Sequence, residues 1–262
     1  GALFRWLKRD ASQLNVVATY NLVYNASLLV AAGMGYALAA PRMAADGIAT
    51  LRIDFMGNGD STASYSDYCY TSANIDAKAA ADYLTAELKL DNLAVMGWSQ
   101  GGTDALLAAE AHPDTFQAVV TWSGALELNG ASLFAGTSFE DAYAQAKKEG
   151  FYTMTFDWRE PLELGERWFQ EVAETNILKV TADIKAPILA INGKDDTTVT
   201  PDNAEKIVKA AANADSQLLL VDNCDHTYNV FSGDFTALYQ TVDATAAFFQ
   251  AQLIPAAAQA AA

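Results

Sequence analysis

A serine lies where a strand-like run of the chain turns into a helix-like run. The residues Gly97-Trp98-Ser99-Gln100-Gly101 fit the pattern G-x-S-x-G, with an apolar run before them and a run of Ala and Leu after them. A turn this sharp needs small neighbours, and it exposes the serine hydroxyl at a helix N-terminus, where negative charge is favoured. Ser99 is therefore a candidate nucleophile. The alternative is a serine that only caps the helix.

A serine hydroxyl needs a base to take its proton, and the chain contains two histidines. His112 lies at the far end of the predicted helix that follows Ser99, about 20 Å away at about 1.5 Å per residue. His226 lies just after the last predicted strand, in the segment DNCDHTYNVF. Loops at the carboxyl ends of parallel strands assemble sites together, so His226 is the candidate base. The alternative is a loop histidine without a catalytic partner.

The base in turn needs a carboxylate that orients its ring. Asp195 and Asp196 follow another predicted strand, in the segment INGKDDTTVTP, between Ser99 and His226 in the chain. Only one of the two can contact the imidazole, and their position alone leaves both open.

Short apolar runs alternate with helical patterns along most of the chain. Runs rich in Val, Ile and Leu are typical of strands buried on both faces, and they lie at Ser27–Ala32, Ile48–Asp54, Leu93–Trp98, Ala118–Trp122, Pro187–Asn192 and Gln217–Val221. The predicted helices are Asn74–Leu88, with Asn74 as its N-cap, Gln100–Ala111, Pro201–Ala212 and Asp234–Leu253. This alternation predicts an α/β fold with a mostly parallel sheet covered by helices on both faces.

One segment between two of these strands breaks the alternation. Residues 130–170 contain nine aromatic residues, about twice the share of 11% in the whole chain. We expect a single domain over residues 1–262 with a cap insertion at about residues 126–180 that covers the carboxyl ends of the strands. Trp168 and Phe169 are its candidate substrate-binding residues. The alternative is a helical subdomain whose aromatic rings pack into a core of their own.

Composition excludes several classes of protein. The chain carries 32 acidic against 16 basic residues, a formal charge of −16, so nucleic acid is not an expected partner. It has no apolar run long enough to span a membrane, and its first ten residues lack the order of a secretory signal. Two cysteines, Cys69 and Cys224, suit a reducing compartment, and we expect a cytoplasmic protein; a single disulfide, and export after removal of a signal, are the alternatives.

The motifs together resemble the α/β-hydrolase superfamily. The order Ser, Asp, His is the order of that superfamily, and its G-x-x-D-x-x-V segment, counted from Gly193, implies Asp196 rather than Asp195 as the acid. The segment LRIDFMGNGDST is similar to another superfamily segment, and its glycines and Asp54 are interpreted as turn formers. Within the superfamily the chain looks most like bacterial cinnamoyl and feruloyl esterases and related serine hydrolases, which carry a cap between the same two strands.

The resemblance also implies an oxyanion hole made of two backbone N–H groups. One is that of Gln100, directly after the nucleophile. The other follows an earlier strand, where the superfamily usually has His-Gly and this chain has Ala32-Gly33, so the donor is expected to be the N–H of Met34. The segment Asn25–Ser27 is a second position for this donor.

The resulting expectation is an esterase that uses a Ser-His-Asp triad. Ser99 attacks the carbonyl of a small ester with an uncharged aromatic or short apolar acyl group, of the cinnamoyl or feruloyl type, and water releases the acyl group. No metal or cofactor is required, and neither nucleic acid nor a membrane is an expected partner. A homodimer is one oligomeric state that the sequence leaves open. The alternatives are a serine peptidase or amidase and a non-catalytic binding protein on the same fold.

Overall fold

The computed structural model of the chain describes residues 15–20, 42–59, 61–130, 133–134, 136–155 and 160–254, the first of these ranges by its backbone alone. The strands are β1 Asn15–Tyr20, β2 Ile48–Ile53, β3 Leu93–Trp98, β4 Val119–Trp122, β5 Phe151–Met154, β6 Leu162–Gly165, β7 Ile188–Gly193 and β8 Gln217–Val221. The helices are α1 Tyr70–Leu88, α2 Gln100–Ala111, α3 Phe139–Glu149, α4 Glu166–Glu174, α5 Ile177–Asp183, α6 Asp202–Ala210 and α7 Thr236–Leu253.

Six strands form one sheet, in the order β2-β1-β3-β4-β7-β8, and every neighbouring pair is parallel. Helices α1, α2, α5 and α6 contribute buried residues to one face of the sheet, and α7 contributes them to the other. All six residues of β3 are buried, as are all six of β7. This explains why these strands are apolar with the exception of Asn192 in β7, rather than alternating. The parallel sheet with helices on both faces confirms the predicted α/β fold.

The strand β1, which lies between β2 and β3 in the sheet, was not predicted. Asn15–Tyr20 forms β1 and pairs with Ile48–Ile53 on one side and with residues of β3 on the other. The predicted strand Ser27–Ala32 lies outside the described residues. Asn15–Tyr20 and Ser27–Ala32 are both short and mostly apolar. The strand β1 is selected by its pairing with β2 and β3, whose residues lie far from it in the sequence.

The predicted helix ends agree with the structure except at three N-termini, one of which differs by a single residue, and one C-terminus. Helix α1 begins at Tyr70 rather than Asn74, so the prediction of Asn74 as the N-cap is wrong. Cys69 is the N-cap, and its N–H donates to the Ser72 hydroxyl at 2.8 Å. Serine at the third helical position supplies a capping-box contact that a search for a polar N-cap does not find. Helix α6 ends at Ala210 and α7 begins at Thr236, each two residues inside the predicted range.

The chain between β4 and β7 contains α3, the antiparallel pair β5–β6, α4 and α5, and its buried residues continue the apolar core on one face of the sheet. We call this segment, residues 123–187, the insertion. Its core is a group of aromatic rings whose centroids lie between 5.1 and 6.5 Å apart. The buried members are Phe134, Phe139, Trp168 and Phe169.

The insertion is attached to the N-terminus of α1. The Glu171 carboxylate of α4 accepts a hydrogen bond from the Thr71 N–H at 2.8 Å and another from the Thr71 hydroxyl at 2.7 Å. A negative charge at a helix N-terminus is favourable because the first N–H groups of the helix lack acceptors within it.

Both cysteines of the chain, Cys69 and Cys224, are buried and free.

Candidate active site

Ser99 lies at the tight turn between β3 and α2. Its φ of 58° and ψ of −125° are strained for a residue with a side chain. The turn also brings Gly97 against Gly101, because a Cβ atom at Gly97 would lie 1.8 Å from the Gly101 carbonyl oxygen. The G-x-S-x-G spacing is therefore a steric requirement of this turn, and the strain directs the serine hydroxyl away from the sheet.

The His226 ring lies between Ser99 and Asp196. Its Nε2 is 3.1 Å from the Ser99 Oγ, and its Nδ1 is 2.8 Å from Oδ2 of Asp196. In the tautomer that can accept the serine proton, Nδ1–H donates to the carboxylate. The ring also packs against the tilted ring of Trp98, with the centroids 5.1 Å apart, and the Trp98 indole N–H donates to the His226 carbonyl oxygen at 2.9 Å. These contacts fix the imidazole in the orientation that links the other two side chains.

Asp196 is 2% exposed, yet its surroundings favour the carboxylate. Burial alone would raise its pKa, but hydrogen bonds from His226, from the Val199 N–H and from Ser123, together with the His226 charge, hold the pKa below its usual value. Oδ1 accepts from the N–H groups of Thr198 and Val199, both at 2.9 Å. An ionised partner stabilises the positive charge that the imidazole acquires when it takes a proton.

The three predicted residues Ser99, Asp196 and His226 thus lie in one hydrogen-bonded chain at the carboxyl edge of the sheet. Asp195 is exposed, and its N–H donates to the Cys224 carbonyl oxygen at 3.0 Å. His112 is the C-cap of α2, at the end opposite Ser99.

A cavity of about 760 Å³ opens beside Ser99 and His226. Its apolar wall comes from the segment after β4 and from the helices around it: Tyr70, Leu126, Leu128, Leu133, Ile177 and Val199. Its polar wall includes Glu127, Glu174 and Asp202, with Lys206. The Lys206 ammonium lies 2.6 Å from the Asp202 carboxylate, so its charge is paired.

The prediction that Trp168 and Phe169 bind substrate is wrong for the described cavity. Trp168 is 1% exposed and Phe169 is 0% exposed, and the lining of the cavity includes neither of them. Their rings pack against each other at 5.1 Å and against Phe134 in the core of the insertion. The apolar side of α4 faces inward, so its large rings stabilise the insertion. The next part of the chain, residues 172–178, lines the cavity instead.

The structure describes only one of the two predicted oxyanion donors. Gln100 is the first residue of α2, directly after Ser99, and lines the cavity. Its N–H belongs to the group of four that have no acceptor within the helix. Met34 and Gly33 lie outside the described residues.

The described residues contain no group of three or more His, Cys, Asp or Glu residues that could hold a metal ion.

Comparison with known proteins decides the family. The model of the prolyl oligopeptidase family, Peptidase_S9, matches residues 34–254. The chain belongs to the prolyl oligopeptidase family. The match covers the nucleophile turn, the insertion and the residues that contact His226.

Three individual proteins show what this chain is similar to. The human serine hydrolase BPHL is 26% identical over 172 residues, which make up 62% of this chain and 58% of that protein, so the chain spans somewhat more than half of this curated relative. Est1E from Butyrivibrio proteoclasticus, solved with ferulic acid bound, has a TM-score of 0.67 at 18% identity over 92% of this chain and 90% of its own. The monoacylglycerol lipase of Paleococcus ferrophilus has a TM-score of 0.68 at 17% identity, over 90% and 94% of the two chains.

These likenesses show that this prolyl oligopeptidase family member has the α/β-hydrolase fold. Sequence reasoning missed two parts of its candidate site. Ser123, which contacts Asp196, is a single polar residue at the end of a strand and follows no motif. The second part is Ile177 in the cavity wall, which begins α5. The N-cap of this helix is Asn176, whose side chain accepts from the Lys179 N–H. This capping signal predicts a helix but not its place beside the nucleophile.

No helix among the described residues is long and apolar enough to cross a membrane.

Proposed function

We propose that this chain hydrolyses carboxylic esters through an acyl-enzyme on Ser99. The observation that carries the proposal is the chain of contacts from the Ser99 Oγ through His226 to Asp196, at the edge of a cavity. A hydroxyl, an imidazole and a buried carboxylate in this order form the arrangement that activates serine for acyl transfer.

The reaction follows from these contacts. As the Ser99 Oγ bonds to the ester carbonyl carbon, its proton passes to Nε2 of His226, and the carbonyl oxygen becomes an oxyanion. The bond to the leaving oxygen then breaks, and His226 gives its proton to the departing alcohol. Water, deprotonated by His226, attacks the acyl-enzyme in the same way and restores the Ser99 hydroxyl. Asp196 stays ionised and stabilises the charged imidazole.

Two backbone N–H groups stabilise the oxyanion in this proposal. That of Gln100 is supported by its place at the first position of α2, where the helix dipole also favours negative charge. That of Met34 rests on the resemblance of Ala32-Gly33 to the superfamily motif. Because β1 is a parallel neighbour of β3, its C-terminal end at Tyr20 lies at the same edge of the sheet as the end of β3 that precedes Ser99. A donor between Tyr20 and Met34, such as one in Asn25–Ser27, is the alternative.

The proposed substrates are small esters with an uncharged aromatic or short apolar acyl group. The apolar lining residues Leu126, Leu128, Leu133 and Ile177 support this class, and the acidic residues of the same lining disfavour anionic substrates. Tyr70 is the aromatic residue of the described wall, and an aromatic face favours a flat acyl group. Ferulic acid bound to Est1E makes hydroxycinnamoyl esters the first substrates to test.

The test compares kcat/KM for methyl cinnamate-type esters with that for aliphatic esters of matched size. We expect the aromatic esters to be preferred by about tenfold, or about 1.4 kcal/mol of transition-state binding. Tyr70→Leu should reduce this preference, and Tyr70→Phe, which keeps the ring, should retain it. If aliphatic esters are preferred, or Tyr70→Leu leaves the ratio unchanged, the aromatic acyl group is abandoned and the esterase proposal remains.

Peptide or amide hydrolysis by the same three residues is the second candidate, because the family is described as that of prolyl oligopeptidase. A peptidase that recognises a free C-terminus needs a cation, and Lys206, the cationic residue of the described lining, is paired with Asp202. A panel of p-nitrophenyl esters and peptide p-nitroanilides separates the two activities. Turnover of nitroanilides at the rate of the esters would favour the peptidase, and no turnover of either would favour a binding protein.

We also propose a cytoplasmic location. The buried, free state of Cys69 and Cys224 supports it, since free thiols persist in a reducing compartment. Cell fractionation with an antibody against the chain tests this location.

A further inference from the structure

A buried carboxyl lies in α2, the helix that begins directly after the nucleophile, and takes no part in the contacts of His226. Asp104 is in α2, four residues after Gln100, or about 6 Å along the helix axis, and it is 2% exposed. Its Oδ2 accepts a hydrogen bond from the Tyr68 hydroxyl at 2.7 Å. Its other oxygen, Oδ1, is buried and has no hydrogen-bond partner among the described residues.

Asp104 is connected to the active site through Tyr68. The Tyr68 hydroxyl, while donating to Asp104, accepts a hydrogen bond from Nε2 of Gln100 at 3.0 Å. Gln100 lines the cavity beside Ser99, and its N–H is the proposed oxyanion donor. The buried Tyr68 side chain thus links two other buried side chains, that of Asp104 and that of Gln100, the residue that follows the nucleophile.

No cation compensates a charge on Asp104 within the described part of the chain. The titratable groups that interact with it are the hydroxyls of Tyr68 and Tyr70. The strands β3 and β4 against which α2 packs carry no ionisable side chain. The charged residues of the neighbouring helices are all at least partly exposed. In α1 they are Asp76, which accepts from the Met56 N–H, Lys78 and Asp82, which pair with each other, and Glu87, and in α5 they are Lys179 and Asp183.

An ionised carboxylate with one hydrogen bond and no cation is strongly unfavourable in a protein interior. A protonated carboxyl avoids this cost. The unpartnered Oδ1 is then the atom that carries the proton, while Oδ2 still accepts from Tyr68. Burial accordingly raises the pKa of Asp104 to about 7, even though the hydrogen bond from Tyr68 lowers it.

We propose that Asp104 is protonated in the active enzyme, where it positions Tyr68 and Gln100 without placing a negative charge beneath the Ser99 oxyanion. This inference rests on the proposed function of Ser99. When Asp104 loses its proton to water, the carboxylate opposes the charge that develops on the carbonyl oxygen, and acylation slows. Asp104 is a positioning residue that makes the rate decline as the pH rises through neutrality.

The first test is the pH profile of the attack by Ser99, measured as acetylation by p-nitrophenyl acetate and as phosphonylation by a fluorophosphonate from about pH 5 to about pH 9. In the unmodified chain the rate should fall about tenfold as the pH rises above about 7, or about 1.4 kcal/mol. Asp104→Asn, which is neutral at every pH, should keep the rate at low pH within about threefold and abolish the fall. A residue that only supports the fold would lower the rate equally at all pH values.

The second variant changes the pKa of Asp104 without removing its carboxyl. Tyr68→Phe deletes the hydrogen bond that favours the ionised form, so the fall in rate should move to higher pH. Tyr83→Phe is the matched control, because Tyr83 is 52% exposed on α1, and its profile should not differ from that of the unmodified chain. If Asp104→Asn does not fold, the shift in Tyr68→Phe decides the question.

An infrared titration keeps this inference separable from the proposed function, because it needs no substrate. The difference spectrum of the unmodified chain minus Asp104→Asn should contain a protonated carboxyl band that disappears as the pH rises past about 7. The difference spectrum of Tyr68→Phe minus the unmodified chain should gain this band above about pH 7, because the variant keeps the proton to higher pH. If neither reagent modifies Ser99, the proposed function fails, and the infrared band still decides the state of Asp104. A carboxylate band at every pH, or a fall in rate that persists unchanged in Asp104→Asn, would overturn the inference.

Discussion

Three residues from three separate loops account for the proposed chemistry. Each follows a strand of the parallel sheet: Ser99 follows β3, Asp196 follows β7 and His226 follows β8. The sequence predicts this set well, since the glycine spacing around Ser99 has a steric cause and only two histidines exist. The choice between Asp195 and Asp196 depends on resemblance, and the structure places Asp196 against the ring.

Substitutions at these residues should have graded effects on turnover. Ser99→Ala and His226→Ala should each lower kcat by several orders of magnitude, because the three residues act as a unit. Asp196→Asn should cost less, though still about a hundredfold or more, and the exposed Asp195→Asn is its matched control. Circular dichroism of each variant checks that the fold is intact. A larger loss in Asp195→Asn than in Asp196→Asn would contradict the assignment of the acid.

Asp104 should also affect how stability depends on pH. Its pKa is about 7 in the folded chain against an ordinary value of 3.8, so the unfolded chain loses this proton first as the pH rises. The free energy of unfolding should therefore fall between about pH 4 and about pH 7, by at most about 4 kcal/mol from this group. Urea unfolding of Asp104→Asn should lack this part of the fall. Identical pH dependence in both proteins would show that Asp104 ionises normally.

At the scale of elements, nonlocal contacts explain what the sequence did not predict. The strands β2, β3, β4, β7 and β8 lie within a residue or so of the predicted runs, since each is a distinct apolar segment. β1 is selected by pairing with strands more than 25 residues away, which local composition does not encode. The direction of the aromatic rings in α4 is likewise set by packing inside the insertion, so composition suggested a binding role for rings that form a core.

The contact between α4 and α1 should stabilise the insertion. Burial disfavours the Glu171 carboxylate, but hydrogen bonds from Thr71 and Arg167 outweigh it and lower the pKa of Glu171. This stabilisation is present above the ordinary pKa and is lost as the pH falls through the lowered one. Glu171→Gln should lower the free energy of unfolding at neutral pH by about 1–3 kcal/mol.

The control for this prediction is Glu163→Gln, which removes a carboxylate from an exposed position of β6 in the same insertion. Its effect should stay within about 0.5 kcal/mol. Thermal unfolding of both variants at about pH 7 and about pH 3 should show that their difference disappears in acid. An equal loss of stability in both would mean that Glu171 acts only through the net charge.

The whole molecule is strongly acidic, with a formal charge of −16, and the described cavity repeats this bias in Glu127, Glu174 and Asp202. Anionic substrates therefore approach a repulsive field and meet a cation already paired with a carboxylate. The sequence predicts the sign of this field, but only the fold shows that three acidic residues lie beside the nucleophile.

This field should discriminate between esters of equal size. kcat/KM for a p-nitrophenyl hemisuccinate should be at least about tenfold below that for p-nitrophenyl butyrate at low ionic strength, and added salt should narrow the gap because it screens the charges. Glu127→Gln should narrow it as well, with Glu163→Gln as the control of equal charge change away from the cavity. A gap that salt does not alter would show that shape rather than charge excludes the anion.

The central claim is that Ser99 carries the acyl group. The unmodified chain is mixed with p-nitrophenyl acetate, quenched in acid before deacylation is complete, digested and measured by mass spectrometry. We predict an acetyl group on the peptide that contains Ser99, and its formation should release a burst of p-nitrophenol. No adduct should form on this peptide in Ser99→Ala or His226→Ala. Turnover of the ester without an adduct on Ser99, or an unchanged burst in Ser99→Ala, would contradict the account.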